Sequence, residues 1–168
     1  KEIYNNLNNF DLIKFPPPIS EIDLINSFKI FQKRTFKINS KLVIKIISKI
    51  SKLNFFSNQK IYLNDIKKTV ILDLFNDLKF ENKITNQVSM NSNTFTFLLN
   101  NSFGFDTLTI NGSFKVDSFE SFGKMAKFFA IGNLNNLGIR IGLFSIFNLK
   151  LLLLFLTRLR KVENYLNE

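Results

Sequence analysis

The sequence contains no cysteine, no histidine and no tryptophan among its 168 residues. Without cysteine the chain can form neither disulfides nor thiolate nucleophiles, and without histidine it lacks the commonest general base and a usual zinc ligand. These absences exclude several classes of enzyme and the Cys/His zinc-binding domains. Side-chain packing must therefore hold the fold together, and a chain of this length can bury a substantial core as one domain.

Acidic residues are also scarce, with 13 Asp and Glu against 23 Lys and Arg, for a net charge of +10. Lysine outnumbers arginine 19 to 4, and Asn, Lys, Ile, Phe and Leu together supply 106 of the 168 residues. This bias is typical of very AT-rich genomes, such as those of organelles and of reduced parasites or symbionts. We therefore expect a mitochondrial, organelle-encoded protein.

The three prolines stand together at Pro16–Pro18. A triple proline is stiff and extended, and it can neither continue a helix nor donate hydrogen bonds to a sheet. It predicts an N-terminal arm over residues 1–19, followed by a single α+β domain over residues 20–168.

Capping residues and apolar spacing predict three helices in the first half of that domain. Ser20 begins the first helix, which Lys33-Arg34 ends before a short extended piece over 35–38. Ser40 begins the second helix, and Asn64 or Asp65 begins the third, which runs to about Lys79. A short strand over 61–63 precedes the third helix.

Residues 82–116 change to a period of two, which is typical of half-buried strands. Thr and apolar residues alternate over 94–97 and over 107–110, and Asn111-Gly112 fits the tight type I′ turn of a hairpin. Asp117 or Ser118 then begins a helix to about Ile131, and a last apolar helix covers residues 143–166. The predicted fold class is α+β, with N-terminal helices, a central antiparallel β-meander and C-terminal helices.

The positive charge is concentrated in residues 24–64, which contain nine basic residues and no acid. A helix face of unpaired lysines repels itself, so this segment predicts an anionic partner, either RNA phosphates or an acidic membrane surface. The alternative is a solvated face in a genome that overuses lysine. The predicted RNA- or anion-binding residues of this segment are Lys33, Arg34, Lys37, Lys41, Lys45, Lys49 and Lys52.

Three of the four arginines lie in the last 29 residues. Arg158 and Arg160, with Lys161, form a cluster that predicts a second RNA contact, because guanidinium groups bind phosphate bidentately and stack on bases. The alternatives are cations that suit a helix end, or an ion pair with Glu163.

The apolar run Leu151–Leu156 raises the question of a membrane span. Extended back to Ile141 it reaches 16 residues and still includes Asn148 and Lys150, whereas a span needs about 20 apolar residues. We expect a buried helix that a neighbouring subunit covers. An interfacial membrane helix over residues 143–161 is the alternative.

Candidates for catalysis are few. Asp73, Asp77 and Glu81 lie four residues apart and would share one helix face, where carboxylates can hold a cation or transfer protons. A solvated acidic face is the expected interpretation, and Phe55-Phe56 is the one aromatic pair that is predicted to be exposed. No glycine-rich phosphate-binding motif is present. We expect no catalytic residues, no metal and no cofactor.

These features favour a non-catalytic structural subunit of a large hetero-oligomeric assembly. The preferred hypothesis is an RNA-contacting organellar ribosomal protein, with ribosomal RNA and neighbouring protein subunits as its partners. Two alternatives remain: an accessory subunit of a mitochondrial respiratory membrane complex, and a peripheral module that binds anionic membranes.

Overall fold

The computed structural model describes residues 16–50, 56, 58–85 and 87–142, and in these it contains five helices and one five-stranded sheet. The N-terminal helices are α1 (Glu21–Ile38) and α2 (Lys41–Ile50). Four strands follow: β1 (Gln59–Leu63), β2 (Lys68–Leu72), β3 (Lys79–Glu81) and β4 (Val88–Met90). The chain continues with α3 (Ser92–Asn100), α4 (Gly104–Asn111), β5 (Lys115–Val116) and α5 (Phe119–Asn136). The predicted α+β class is confirmed.

The sheet is mixed, with strand order β3-β2-β1-β4-β5. Strands β1, β2 and β3 form a consecutive antiparallel meander, in which Ile61 pairs with Val70. Strand β4 lies parallel to β1, with Tyr62 opposite Ser89, and β5 closes the other edge antiparallel to β4. Helix α1 packs against α3 and α5, and α5 lies against β1, β4 and β5. The core therefore sits between the sheet and these helices.

The first two predicted helices are present. The Ser20 side chain caps α1 by accepting a hydrogen bond from the Asp23 backbone at 3.2 Å, and α2 begins directly after Ser40. Helix α1 continues to Ile38, so the predicted extended piece over 35–38 is wrong. The reason is that Thr35 is buried in the core and its hydroxyl donates to the Phe31 carbonyl at 2.9 Å, one turn back along the helix.

The third predicted helix is wrong. Residues 64–67 form a turn, and the chain returns as strand β2. Val70 and Leu72 alternate into the core and lie across from the buried positions of β1. Pairing with β1 therefore decides the structure here, and the strand predicted over 61–63 is confirmed as part of β1.

The meander predicted over residues 82–116 is also misplaced. Residues 94–97 belong to α3, and residues 107–110 belong to α4. Phe95, Leu98 and Leu99 are all buried at helical spacing, which outweighs the short alternation of threonine with phenylalanine. Gly112 is not in a hairpin turn but ends α4 in the left-handed region at φ 64°.

Helix α5 begins where the sequence predicts, because the Ser118 side chain accepts a hydrogen bond from the Ser121 backbone at 3.2 Å. The helix runs to Asn136, beyond the predicted end at Ile131, and so Gly132 lies inside it. No helix in the described part of the chain is long and apolar enough to cross a membrane.

The end of the proline segment is fixed to the start of α3. The Ile19 backbone N–H donates to the Ser92 hydroxyl at 2.8 Å, and the Asn93 amide donates to the Pro17 carbonyl at 3.0 Å. Residues 1–15 and 143–168 lie outside the described residues, so the N-terminal arm over 1–19, the single domain over 20–168 and the helix over 143–166 stay predictions.

Candidate anion-binding surface

Helix α2 presents Lys41, Lys45 and Lys49 to solvent. Val43 and Ile44 of the same helix are buried, and at 3.6 residues per turn they occupy the opposite side from the lysines. We call these three lysines the cationic strip. The Cα atoms of these lysines follow one another about 6 Å apart along the helix axis, since four residues of helix rise by about that much.

None of the ion pairs among the described residues uses a lysine of α1 or α2. The pairs are Lys60 with Glu81 at 2.9 Å, Lys68 with Glu21, and Lys124 with Glu120 at 2.7 Å. Lys33 and Lys37 of α1 are exposed as well. In the part of the chain that the structure describes, the lysines of both helices therefore have no acidic side chain as a partner.

An aliphatic strip runs beside the cationic strip. Ile38, Leu42 and Ile46 recur every four residues and are 41%, 60% and 38% exposed. The sequence analysis did not predict this aliphatic strip. Three exposed aliphatic side chains beside lysines give the surface a mixed character, suited to a partner with both anionic and apolar groups.

A buried hydrogen-bonded joint sets the start of α2. Asn39 is 4% exposed, and its side-chain amide donates to the Thr35 carbonyl at 2.9 Å. Its side-chain oxygen accepts from the Ile141 N–H at 2.8 Å, and the Ser40 N–H donates to the Ile141 carbonyl at 2.7 Å. Lys41 then lies with its Nζ 5.2 Å from the centroid of the Phe36 ring. These contacts fix the corner between the two basic helices.

Arg34 differs from the lysines because it is half-buried and bonded. Its Nη1 donates to the Asn100 carbonyl at 2.6 Å and its Nη2 to the Leu99 carbonyl at 2.7 Å. These carbonyls end α3, where a cation is favourable. Burial lowers the pKa of the Arg34 guanidinium, and the group lies 5.8 Å from the Phe31 ring centroid. Arg34 therefore has a structural role that the sequence analysis did not predict.

The remaining predicted contact residues, Lys52, Arg158, Arg160 and Lys161, lie outside the described residues. Phe56 is 3% exposed, so the predicted exposure of the Phe55-Phe56 pair is wrong at Phe56. The Phe56 carbonyl accepts a hydrogen bond from the Leu74 N–H at 2.8 Å, which draws this residue against the core after β2.

The carboxylates Asp73, Asp77 and Glu81 do not share a helix face, because this part of the chain is strand and loop. Asp73 accepts hydrogen bonds from the Phe75 N–H and the Asn76 amide, both at 2.8 Å, and so stabilises the turn after β2. Glu81 lies in β3 and pairs with Lys60. Over the described residues, no group of three acidic side chains could hold a metal ion.

The ammonium groups of the cationic strip can donate hydrogen bonds and neutralise phosphates. No family model, curated protein or solved structure matches the chain.

Proposed function

We propose that the protein is a non-catalytic structural subunit of a large assembly, an RNA-contacting organellar ribosomal protein of mitochondria. The observation that carries this proposal is the cationic strip, Lys41, Lys45 and Lys49, on the solvent side of α2. No acid occurs between residues 24 and 64 to neutralise it. Lys33 and Lys37 add charge on α1.

Binding to RNA would relieve the repulsion among these lysines. Each ammonium group that neutralises a phosphate releases a condensed counterion, and the affinity consequently falls as the salt concentration rises. Lysines on a regular helix act as point charges that follow a phosphate backbone without reading bases. This suits a subunit that holds folded RNA in place together with neighbouring proteins.

Gradient sedimentation with mitochondrial ribosomal subunits tests the proposal. The wild type is expected to sediment with a ribosomal subunit, and the variant Lys41→Glu, Lys45→Glu, Lys49→Glu is expected to stay at the top of the gradient. A matched control changes three exposed lysines of the sheet side, Lys67, Lys79 and Lys83, to Glu. Co-sedimentation of the strip variant at the wild-type level would contradict the proposal, as would failure of the wild type to co-sediment.

The aliphatic strip favours a second candidate, an accessory or peripheral subunit at an anionic membrane. Leu42, 60% exposed beside the lysines, could enter the acyl region while the ammonium groups meet lipid phosphates. Under this alternative, Leu42→Asn with Ile46→Asn abolishes flotation with vesicles of anionic phospholipid. Under the RNA proposal the same double variant sediments with ribosomal subunits as the wild type does.

A further inference from the structure

The aliphatic strip leaves three apolar side chains in solvent, with Leu42 the most exposed of them at 60%. Removing apolar surface from water stabilises a protein, so a cover for this strip is favourable. A second copy of α2 does not suit, because its lysines would lie against the cationic strip and repel it. The cover that suits the strip is therefore apolar and carries no charge where it meets α2.

The chain that follows α5 is held at the start of α2, next to this strip. The Ser40 N–H donates to the Ile141 carbonyl at 2.7 Å, and the Ile141 N–H donates to the Asn39 side-chain oxygen at 2.8 Å. Ile141 itself is 1% exposed, so this end of the chain is fixed in the core. Two residues span at most about 7 Å. Residue 143 therefore starts close to the first turn of α2, which contains Leu42.

The sequence directly after Gly142 has the composition that the strip requires. Residues 143–149 contain no charged side chain and five large apolar ones. Leu143, Phe147 and Leu151 recur every four residues, which is also the spacing of the aliphatic strip. In the helix that the sequence predicts over 143–166, these three residues share one side.

We propose that residues 143–151, which lie outside the described residues, pack along α2 in the same direction as that helix and cover the aliphatic strip. The hydrogen bond between Ser40 and Ile141 sets the register, which brings Leu143 to Leu42 and Phe147 to Ile46. Two parallel helices that start in register stay in register, because both rise by about 6 Å over four residues. The cationic strip remains open to RNA, and the inference does not depend on the proposed function.

The lack of cysteine in the sequence allows one introduced thiol to report on the strip. Leu42→Cys places the thiol in the proposed contact. Ile22→Cys is the control, at a position that is 71% exposed and lies about 24 Å from Ile38 along α1. In the full chain, we expect a maleimide to label Leu42→Cys at least about tenfold more slowly than Ile22→Cys, because the covering segment must first open.

A second pair of changes tests whether residues 143–151 are the cover. Phe147→Asp, added to Leu42→Cys, places a charge against the strip and is expected to raise the labelling rate to that of Ile22→Cys. Ser145→Asp introduces the same charge two residues away, on the opposite side of a helical segment, and is expected to leave the labelling slow. The measurements use dilute protein without membranes.

A disulfide tests the register without adding a charge. Mild oxidation of Ile46→Cys, Phe147→Cys is expected to remove both free thiols through a bond within one chain, since a disulfide requires Cα atoms within about 7 Å. The control Ile22→Cys, Phe147→Cys is expected to keep its thiols. Retained thiols in the first variant, or an equal loss in both variants, would overturn the proposal.

Three labelling results would also overturn it. Equal rates for Leu42→Cys and Ile22→Cys would show that the strip is open. Slow labelling that Phe147→Asp does not change would show that something else covers it. A rate for Leu42→Cys that falls as the protein concentration rises would identify a second copy as the occupant. The expected results would instead make the strip unavailable to acyl chains and remove the support for the membrane alternative, while RNA binding by the cationic strip would be unaffected.

Discussion

The Asn39 side-chain oxygen accepts a hydrogen bond from the Ile141 backbone N–H at 2.8 Å, joining residues that are 102 positions apart in the sequence. Both residues are buried, and the Ser40 N–H donates to the Ile141 carbonyl beside this bond. Because Ser40 directly precedes α2, the joint holds the first turn of the helix that carries the cationic strip. The position of the basic surface therefore depends on a contact between distant parts of the chain.

Replacing Asn39 with alanine should destabilise the fold. The change removes two hydrogen bonds and leaves the buried Ile141 N–H without an acceptor, so we expect the free energy of unfolding to fall by about 2–3 kcal/mol. Urea denaturation monitored by circular dichroism measures this. The control is Asn26→Ala on the exposed side of α1, which should change stability by less than about 0.5 kcal/mol. Equal stabilities of the two variants would contradict the structural role of Asn39.

Asp65 should matter for the junction between the β1–β2 turn and α3. Its carboxylate accepts hydrogen bonds from the Ser92 N–H at 2.9 Å and from the Ser92 hydroxyl at 2.5 Å, and Ser92 is fully buried. We expect Asp65→Ala to lower the free energy of unfolding by about 2 kcal/mol, because a charge-assisted pair is lost at a buried helix start. Thermal unfolding of Asp65→Ala against Asp77→Ala, a change at an exposed loop residue, tests this. A similar melting temperature for both would refute it.

Arg34 should contribute to stability where its neighbour Lys33 does not. Arg34→Lys keeps a positive charge but loses the planar pair of donors to the Leu99 and Asn100 carbonyls. We expect a loss of about 1–2 kcal/mol in the free energy of unfolding, against a negligible change for the exposed Lys33→Ala. Chemical denaturation compares the two. An unchanged midpoint for Arg34→Lys would show that its capping bonds are not needed.

The ion pair of Glu120 with Lys124 should make the stability of the protein depend on pH in a known direction. A hydrogen bond from Lys124, together with its charge, holds the pKa of Glu120 below the ordinary value of 4.5. A carboxylate whose pKa is lowered by folding stabilises the protein at pH values above its ordinary pKa. This stabilisation is lost as the pH falls through the folded-state pKa. The wild type should therefore exceed Glu120→Gln in melting temperature at neutral pH, and the two should converge in acid. A difference in melting temperature that does not change with pH would contradict a stabilising ion pair between Glu120 and Lys124.

The helix starts at Ser20, Ser40 and Ser118 could be predicted from sequence because a cap is a local interaction between neighbouring residues. The structure of residues 68–72 could not, because β2 is decided by pairing with β1 across a turn. The Asn111-Gly112 pair suits either a hairpin turn or a helix end, and burial of Phe105 and Leu108 on α4 selects the helix. The parallel pairing of β1 with β4 and the capping role of Arg34 depend on contacts between residues far apart in sequence.

The candidate anion-binding surface could likewise be predicted from the sequence only in part. The exposed lysines of α2 follow from their four-residue spacing, whereas the exposure of Leu42 depends on how the helices pack.

The salt dependence of RNA binding by the cationic strip is the decisive measurement. The logarithm of the association constant for ribosomal RNA, plotted against the logarithm of the salt concentration, should have a negative slope. In Lys41→Gln, Lys45→Gln, Lys49→Gln the slope should be smaller in magnitude by about 2–3, since three phosphate contacts are lost. The same substitutions at Lys67, Lys79 and Lys83 should leave the slope at its wild-type value. A strip variant with the wild-type slope would contradict RNA binding through α2.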